Sequence, residues 1–298
     1  MKHRAGFVAI LGRPNAGKST LLNALLGTKL AIVAPRPQTT RTAIQGVLKL
    51  PGAQIVFVDT PGIHESSTLL NKRMMDQVRA SADADVVLLL VDATGRFSDD
   101  DAGAVDLVRK TGAPAIAVFN KIDKLREKAK LLALIERYRE MHDFAAYVPI
   151  SALKGDGVDV LQKEILARMP EGPALYPKDH LTDQPERFLA AEIIREKVLH
   201  LTRQEVPHAV AVMIENWEDT GGLVRIAATI YIERPGQKAI LIGAGGALLK
   251  KIGTLARREI ETLVGKKVFL QTFVKVRPNW RQDPEFLAAT DWRGMAGT

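Results

Sequence analysis

The stretch Gly12-Arg13-Pro14-Asn15-Ala16-Gly17-Lys18-Ser19 decides how the first half of the chain is read. It fits G-x-x-x-x-G-K-[ST], follows the apolar run Phe7–Leu11 and opens a helical pattern over Thr20–Leu26. That strand–turn–helix context is what phosphate chemistry needs. Glycines let successive backbone N–H groups turn inward around phosphate oxygens, and the helix N-terminus adds positive potential. Lys18 is positioned to reach the β- and γ-phosphates, and Ser19 to ligate Mg²⁺. Gly12, Asn15, Ala16, Gly17 and Thr20 complete the expected cradle.

Outward from this loop, the runs Ile55–Asp59, Val86–Asp92, Ala115–Asn120 and Tyr147–Ile150 alternate with helical stretches. Continuous apolar runs suit strands buried on both faces, and Ala43–Leu50 is expected as an antiparallel edge strand. The pattern predicts a doubly wound α/β domain over residues 1–170, with ligands at the carboxyl ends of its strands. Three such ends carry chemistry. Asp59-Thr60-Pro61-Gly62 offers a carboxylate for Mg²⁺ and a Gly62 N–H for a γ-phosphate. Asn120-Lys121-Ile122-Asp123 offers a carboxylate, Asp123, able to accept from both N1 and N2 of guanine. Adenine has no such donors, so a site of this kind discriminates by as much as ~10⁴–10⁵. Asn120 is expected to tie neighbouring loops together. In Ser151-Ala152-Leu153 the Ala152 N–H is expected to meet guanine O6.

These motifs, in this order, resemble the translation-factor-related class of P-loop GTPases. The resemblance implies GTP as substrate, GDP as product and Mg²⁺ as cofactor. It also implies a first switch at Thr39-Thr40-Arg41, with Thr40 joining Ser19 and Asp59 around Mg²⁺ only in the GTP state. Loss of the γ-phosphate then frees Thr40 and Gly62 and relaxes two loops. Candidate catalytic residues are Lys18, Thr40 and Asn15. Water is the expected nucleophile, with no side-chain base. The residue after Gly62 is Ile63, which cannot orient a water by hydrogen bonding. The adjacent His64 is read as an exposed loop residue. Some members of the class use K⁺ held by the phosphate-loop asparagine, so K⁺ at Asn15 is a candidate cofactor.

The 298 residues include no cysteine, which removes disulfides, thiolate metal sites and a cysteine nucleophile, and fits a reducing cytoplasm. No apolar run approaches the ~18 residues of a spanning helix. Prolines punctuate residues 171–185, read as an extended linker. Residues 186–283 then predict a helix over Arg187–Arg203, strands at Ala209–Trp217 and Leu223–Glu233, a short helix before a glycine-rich turn, a helix near Ala247–Leu263 and a strand Lys267–Arg277. The tail, residues 284–298, reads as ambiguous, a segment open to fraying. The net charge is +8, and Pro235–Arg281 holds ten Lys/Arg against Glu259 and Glu261, so that stretch carries the whole surplus. Such concentration points to a polyanion: nucleic acid first, an anionic membrane surface second.

Within this stretch, Ile242-Gly243-Ala244-Gly245-Gly246-Ala247-Leu248-Leu249-Lys250-Lys251-Ile252 resembles the signature of the KH family in its type II order. The family's G-x-x-G loop clamps about four unpaired nucleotides. RNA-binding residues are then Ile242, Gly243, Ala244, Gly245, Gly246, Leu249, Lys250 and Lys251. Phe269 and Phe273 are expected in the core, and Trp280 is left open between core and stacking roles. A smaller KH domain after a GTPase domain containing Pro37-Gln38-Thr39-Thr40-Arg41 resembles a bacterial family of KH-domain GTPases of small ribosomal subunit assembly. That likeness implies 16S rRNA (its 3′ end) and the small (30S) ribosomal subunit as partners, peripheral contact with anionic membrane at the inner face of the cell membrane, and a monomer. Two alternatives stay open: an RNA-binding module that keeps guanine nucleotide without turnover, and a membrane-surface GTPase.

Overall fold

The computed structural model describes residues 3–36, 38–63, 68–81, 83–203 and 206–292; Pro37 and His64 lie outside the described residues. The chain divides into two compact units.

The first unit is built on a six-stranded sheet of order β2-β3-β1-β4-β5-β6. Its strands are β1 (Arg4–Leu11), β2 (Ile44–Leu50), β3 (Ala53–Asp59), β4 (Val86–Asp92), β5 (Ala115–Asn120) and β6 (Ala146–Pro149). Only β2 runs antiparallel, at the edge, as expected from sequence. The central strands have almost no exposed side chain, since helices cover both faces. Those helices are α1 (Lys18–Leu26), α2 (Leu69–Ala80), α3 (Asp99–Thr111), α4 (Lys128–Met141) and α5 (Val158–Arg168). With both faces filled, loops at the strands' carboxyl ends are what the sheet leaves for function.

Residues 170–183, expected as an extended linker, are fastened to this unit. Ala5 N–H donates to Pro170 O, Val47 N–H to Leu181 O, and Leu175 and Tyr176 N–H to Gln54 Oε1. The chain passes to the second unit at Gln184.

The second unit is a three-stranded sheet, β7 (Ala211–Asp219), β8 (Leu223–Ile232) and β9 (Lys267–Val276), with β8 antiparallel to β7 and parallel to β9. Helices α6 (Glu186–Leu201) and α8 (Ala247–Val264) pack on one face, joined by Leu241 of α7 (Pro235–Ile242) in one apolar core. The short helix expected before the glycines is α7. The tail, ambiguous from sequence, carries α9 (Pro284–Ala289). Asp283 caps it by accepting from the N–H groups of Glu285 and Phe286, and Phe286 and Leu287 are buried.

This unit also takes in residues 32–39 and 68–70. Ile32 sits in its core with Ala190, Ile194 and Val198 of α6. Val33 N–H donates to Glu196 Oε1 at 2.9 Å, and His200 Nε2 donates to Val33 O at 2.7 Å. The Arg195 guanidinium donates to Thr39 O and pairs with Glu192 at 2.6 Å. Both Arg195 and Glu196 are 2% exposed. A charge that deep is held only by partners, and these partners include the backbone of the 32–39 segment.

Candidate nucleotide site and RNA interface

Gly12 and Gly17 shape the phosphate loop, with φ of 147° and 100°. A Cβ on Gly17 would lie 2.4 Å from Asn120 Nδ2, and one on Gly12 would lie 2.4 Å from Leu90 O. Only glycine satisfies both the conformation and the space. Asn15 (φ 61°) and Lys121 (φ 69°) also adopt the left-handed region, and Lys121 Nζ ties them by donating to Asn15 O at 2.6 Å. Strain gathered at one loop pair is a mark of a functional site.

Lys18 is buried, its Nζ donating to Gly12 O at 2.9 Å and Arg13 O at 3.0 Å. Burial pushes its pKa down to about 8, against the attraction of Asp59. Burial likewise pushes Asp59 up to about 6, against Lys18 and hydrogen bonds from Ser19 and Thr40. Ser19 Oγ donates to Asp59 Oδ2 at 2.7 Å and lies 2.8 Å from Thr40 Oγ1, which is itself 3.4 Å from the same carboxylate oxygen. Asp59 Oδ1 is buried with no hydrogen-bond partner among the described residues. Three hard oxygen donors around one orphaned carboxylate oxygen fit Mg²⁺, an ion that favours few protein ligands and the substrate's phosphates. Ser19, Thr40 and Asp59 would hold it, and when bound it neutralises charge on the β- and γ-phosphates.

Lys18 and triphosphate together set a pH dependence. Below about pH 8 the ammonium is already formed; above it, gripping a polyanion requires proton uptake. GTP affinity is therefore expected to be flat from pH 7 to about 8 and to fall by up to ~tenfold per pH unit beyond. Calorimetry in two buffers of different ionisation enthalpy should register that uptake at pH 9 and almost none at pH 7.

The loops expected to recognise the base are drawn together by Asn120. Asn120 Nδ2 donates to Ala16 O at 2.8 Å, while its Oδ1 accepts from Lys121 N–H at 2.8 Å and Ala152 N–H at 2.9 Å. One buried amide thus joins three loops. The Ala152 N–H, the expected partner of guanine O6, is the donor of the last of these bonds. Asp123 is exposed, and Ser151 Oγ orients it by donating to Oδ1 at 2.6 Å. Leu153 is exposed beside them.

Sequence reasoning missed Asp92, at the carboxyl end of β4. It accepts from Lys121 Nζ at 2.6 Å. Burial alone would raise Asp92, but hydrogen bonds from Lys121 and Thr94 outweigh it and hold the carboxyl below its usual range. Its signal was available: an acid at a strand's carboxyl end, like Asp59. Ile63 is 7% exposed and packs with Leu11, Val78 and Leu89, so the residue after Gly62 belongs to the core.

Gly243, Gly245 and Gly246 have φ of 73°, 55° and 81° in the second unit. A Cβ on Gly245 or Gly246 would meet nothing within 4 Å, so this turn stands open. Ala244 beside them is exposed. Ile242 and Leu249 are half-buried beneath the turn, and Lys250 and Lys251 are exposed on the first turns of α8. Of the basic stretch, Lys266, Arg277, Arg281 and Arg257 are paired with Asp219, Asp283, Glu233 and Glu261. The loop lysines carry no ion pair among the described residues. One open aromatic question is answered and one assignment changes. Trp280 is 1% exposed, its Nε1 donating to Ala209 O at 3.0 Å, so it is a core residue. Phe269 and Phe273, expected in the core, are 47% and 50% exposed.

The chain resembles known proteins along nearly its whole length. Residues 7–121 match the family described as 50S ribosome-binding GTPase, and residues 205–281 match the KH domain family. GTPase Era of Geobacter metallireducens (strain ATCC 53774 / DSM 7210 / GS-15) is 51% identical over 287 residues, covering 95% of this chain and 96% of that protein. The chain belongs to the GTPase Era family. The Era of Stenotrophomonas maltophilia (strain K279a) is 45% identical, covering 96% of this chain and 97% of its own. A crystal structure of Era in complex with MgGDPNP and nucleotides 1506–1542 of 16S ribosomal RNA is 42% identical, with a TM-score of 0.94 over 97% of this chain and 99% of that one. A variant of Aquifex aeolicus Era bound to GDP·AlF4⁻ is 43% identical, with a TM-score of 0.93 over 97% of this chain and 99% of its own. The chain is therefore a P-loop GTPase with a KH domain. It hydrolyses GTP to GDP and phosphate.

Proposed function

We propose that the chain is a GTP-timed RNA-binding switch that grips the 3′ end of 16S rRNA and acts in small-subunit assembly. The observation that carries the switch is the placement of Ile32, Val33 and Thr39. Their backbone is built into the core of the KH-containing unit through Ile32, Glu196 and Arg195, and the next residue is Thr40, beside Ser19 and Asp59. A segment fixed to the RNA-binding unit thus ends on a residue that senses the γ-phosphate. The rRNA target rests on likeness to the Era bound to that RNA.

GTP turnover against a panel of short single-stranded RNAs tests this. The rRNA 3′ end should stimulate turnover while unrelated sequences do not; equal rates with all RNAs would remove the target. Gly245→Asp with Gly246→Asp should abolish RNA binding and RNA stimulation but leave GTP affinity within about twofold. The added carboxylates repel phosphates and occupy the backbone approach that both glycines leave open.

K⁺ at Asn15 extends the reading. Ile63 is buried and cannot orient water, so turnover without a further charge should be slow. K⁺ should accelerate it over Na⁺ at matched ionic strength, and Asn15→Ala should erase the difference. The same basic surface would also make peripheral contact with anionic membrane. Liposome binding should then fall steeply with moderate salt.

A further inference from the structure

The open turn does not account for the exposed face of the second sheet. β9 alternates strictly. Val268, Leu270, Val274 and Val276 turn into the core beneath α6 and α8, while Lys267, Phe269, Gln271, Phe273 and Lys275 turn outward. Two half-exposed phenylalanines on one strand are an unusual expense of apolar surface. Four residues apart, they stand ~13 Å from each other along β9. The neighbouring strand sets Arg225 in register with Phe269, its guanidinium 5.8 Å from the ring centroid. Arg225, Lys267 and Lys275 are exposed and carry no ion pair among the described residues. The adjoining Lys266 and Arg277, by contrast, are taken by Asp219 and Asp283. The acids of this sheet, Glu215, Glu218 and Asp219, all lie on β7; Glu218 stands in register with Arg225 but forms no ion pair with it among the described residues, and β9 itself carries no acid.

Exposed rings set among unpaired cations match a polyanion whose units carry flat π faces. Bases stack on the rings, and phosphates meet the charges. An apolar protein face would bury Lys267 and Lys275 at the two ends of the row without a counter-charge, which is costly. We infer that the outward row of β9, with Arg225 of β8 beside it, is a second single-stranded RNA surface, separate from the glycine turn, on which Phe269 and Phe273 each stack a base. Lys267, Lys275 and Arg225 hold the flanking phosphates. The inference rests on the RNA-binding reading and extends it, since a G-x-x-G turn clamps only about four nucleotides.

The test compares two RNAs by fluorescence anisotropy, a loop-sized oligomer of about four nucleotides and a long single-stranded RNA carrying the rRNA 3′ end. Phe269→Ala with Phe273→Ala should weaken the long RNA by about tenfold or more, from lost stacking. The short RNA and GTP should bind as before. Phe269→Trp with Phe273→Trp should keep full affinity for the long RNA. Lys267→Gln with Lys275→Gln should lower the salt slope for the long RNA by about two. Thiouridine placed along the long RNA should crosslink to the β9 peptide. Long-RNA affinity within twofold of native in the alanine pair overturns the surface. Equal weakening of both RNAs overturns it as well, because that marks general disruption of the unit. Native RNA affinity with lost attachment to assembling small subunits would assign the face to a protein and overturn it too. A native chain that binds neither RNA brings down the RNA-binding reading itself, an outcome distinct from these.

Discussion

Asp123→Asn should lower GTP affinity by ~10⁴ and, in the same protein, create binding of xanthosine triphosphate. Bound guanine would present two donors to this carboxylate, N1–H and the N2 amine, and Ser151 Oγ orients the carboxylate by donating to its Oδ1. Asparagine replaces one acceptor oxygen with an NH₂ group. That group points a donor at a donor, so one hydrogen bond is lost and the guanine amine is desolvated against a mismatch. Xanthine carries a carbonyl where guanine has the amine, and the new NH₂ donates to it. Asp123 is exposed, so the substitution leaves the fold intact and the effect reads out as specificity. Competition of GTP, xanthosine triphosphate and ATP against a fluorescent guanine nucleotide measures it. GTP affinity within about threefold of native would show that the base is chosen elsewhere.

The contrast between β4 and β9 explains what was legible in the sequence. Val86–Asp92 and Ala115–Asn120 read with their observed bounds because a strand buried on both faces is apolar throughout, and its polar last residue marks the site. The phosphate loop read equally well, since phosphate chemistry fixes residue types at fixed offsets. β9 has apolar residues at both parities, so hydrophobicity alone did not say which row faces α8; Phe269 and Phe273 went to the wrong side for that reason. The lysines at positions 267 and 275 share their parity and held the missing signal. The hydrogen bond from Ala152 N–H to Asn120 Oδ1 shows a different limit: it depends on how the Asn120 amide is turned, and no spacing encodes that. The capture of Val33 by Glu196, 163 residues away, has no local period to reveal it.

That capture supports the second large effect. Arg195→Ala should cost roughly 3 kcal/mol of stability and uncouple RNA from turnover. The guanidinium is buried, forks onto Glu192 and donates to Thr39 O. Removing it leaves a carboxylate and a carbonyl short of their partner, and the segment leading to Thr40 loses one of its anchors on α6. GTP binding and the unstimulated rate should survive, because Lys18, Ser19, Asp59 and Asp123 make no bond to Arg195. The ratio of turnover with RNA to turnover without it should fall toward one. Arg195→Lys keeps the charge but not the planar fork, so it should retain part of that ratio. Glu196→Ala releases Val33 N–H from the other side of the segment and should act in the same direction, whereas Glu196→Gln keeps an acceptor oxygen for that N–H and should act less. Thermal unfolding and single-turnover hydrolysis on the same preparations separate lost stability from lost coupling. A folded Arg195→Ala chain with native stimulation would mean that the RNA signal reaches Thr40 by a route that bypasses α6.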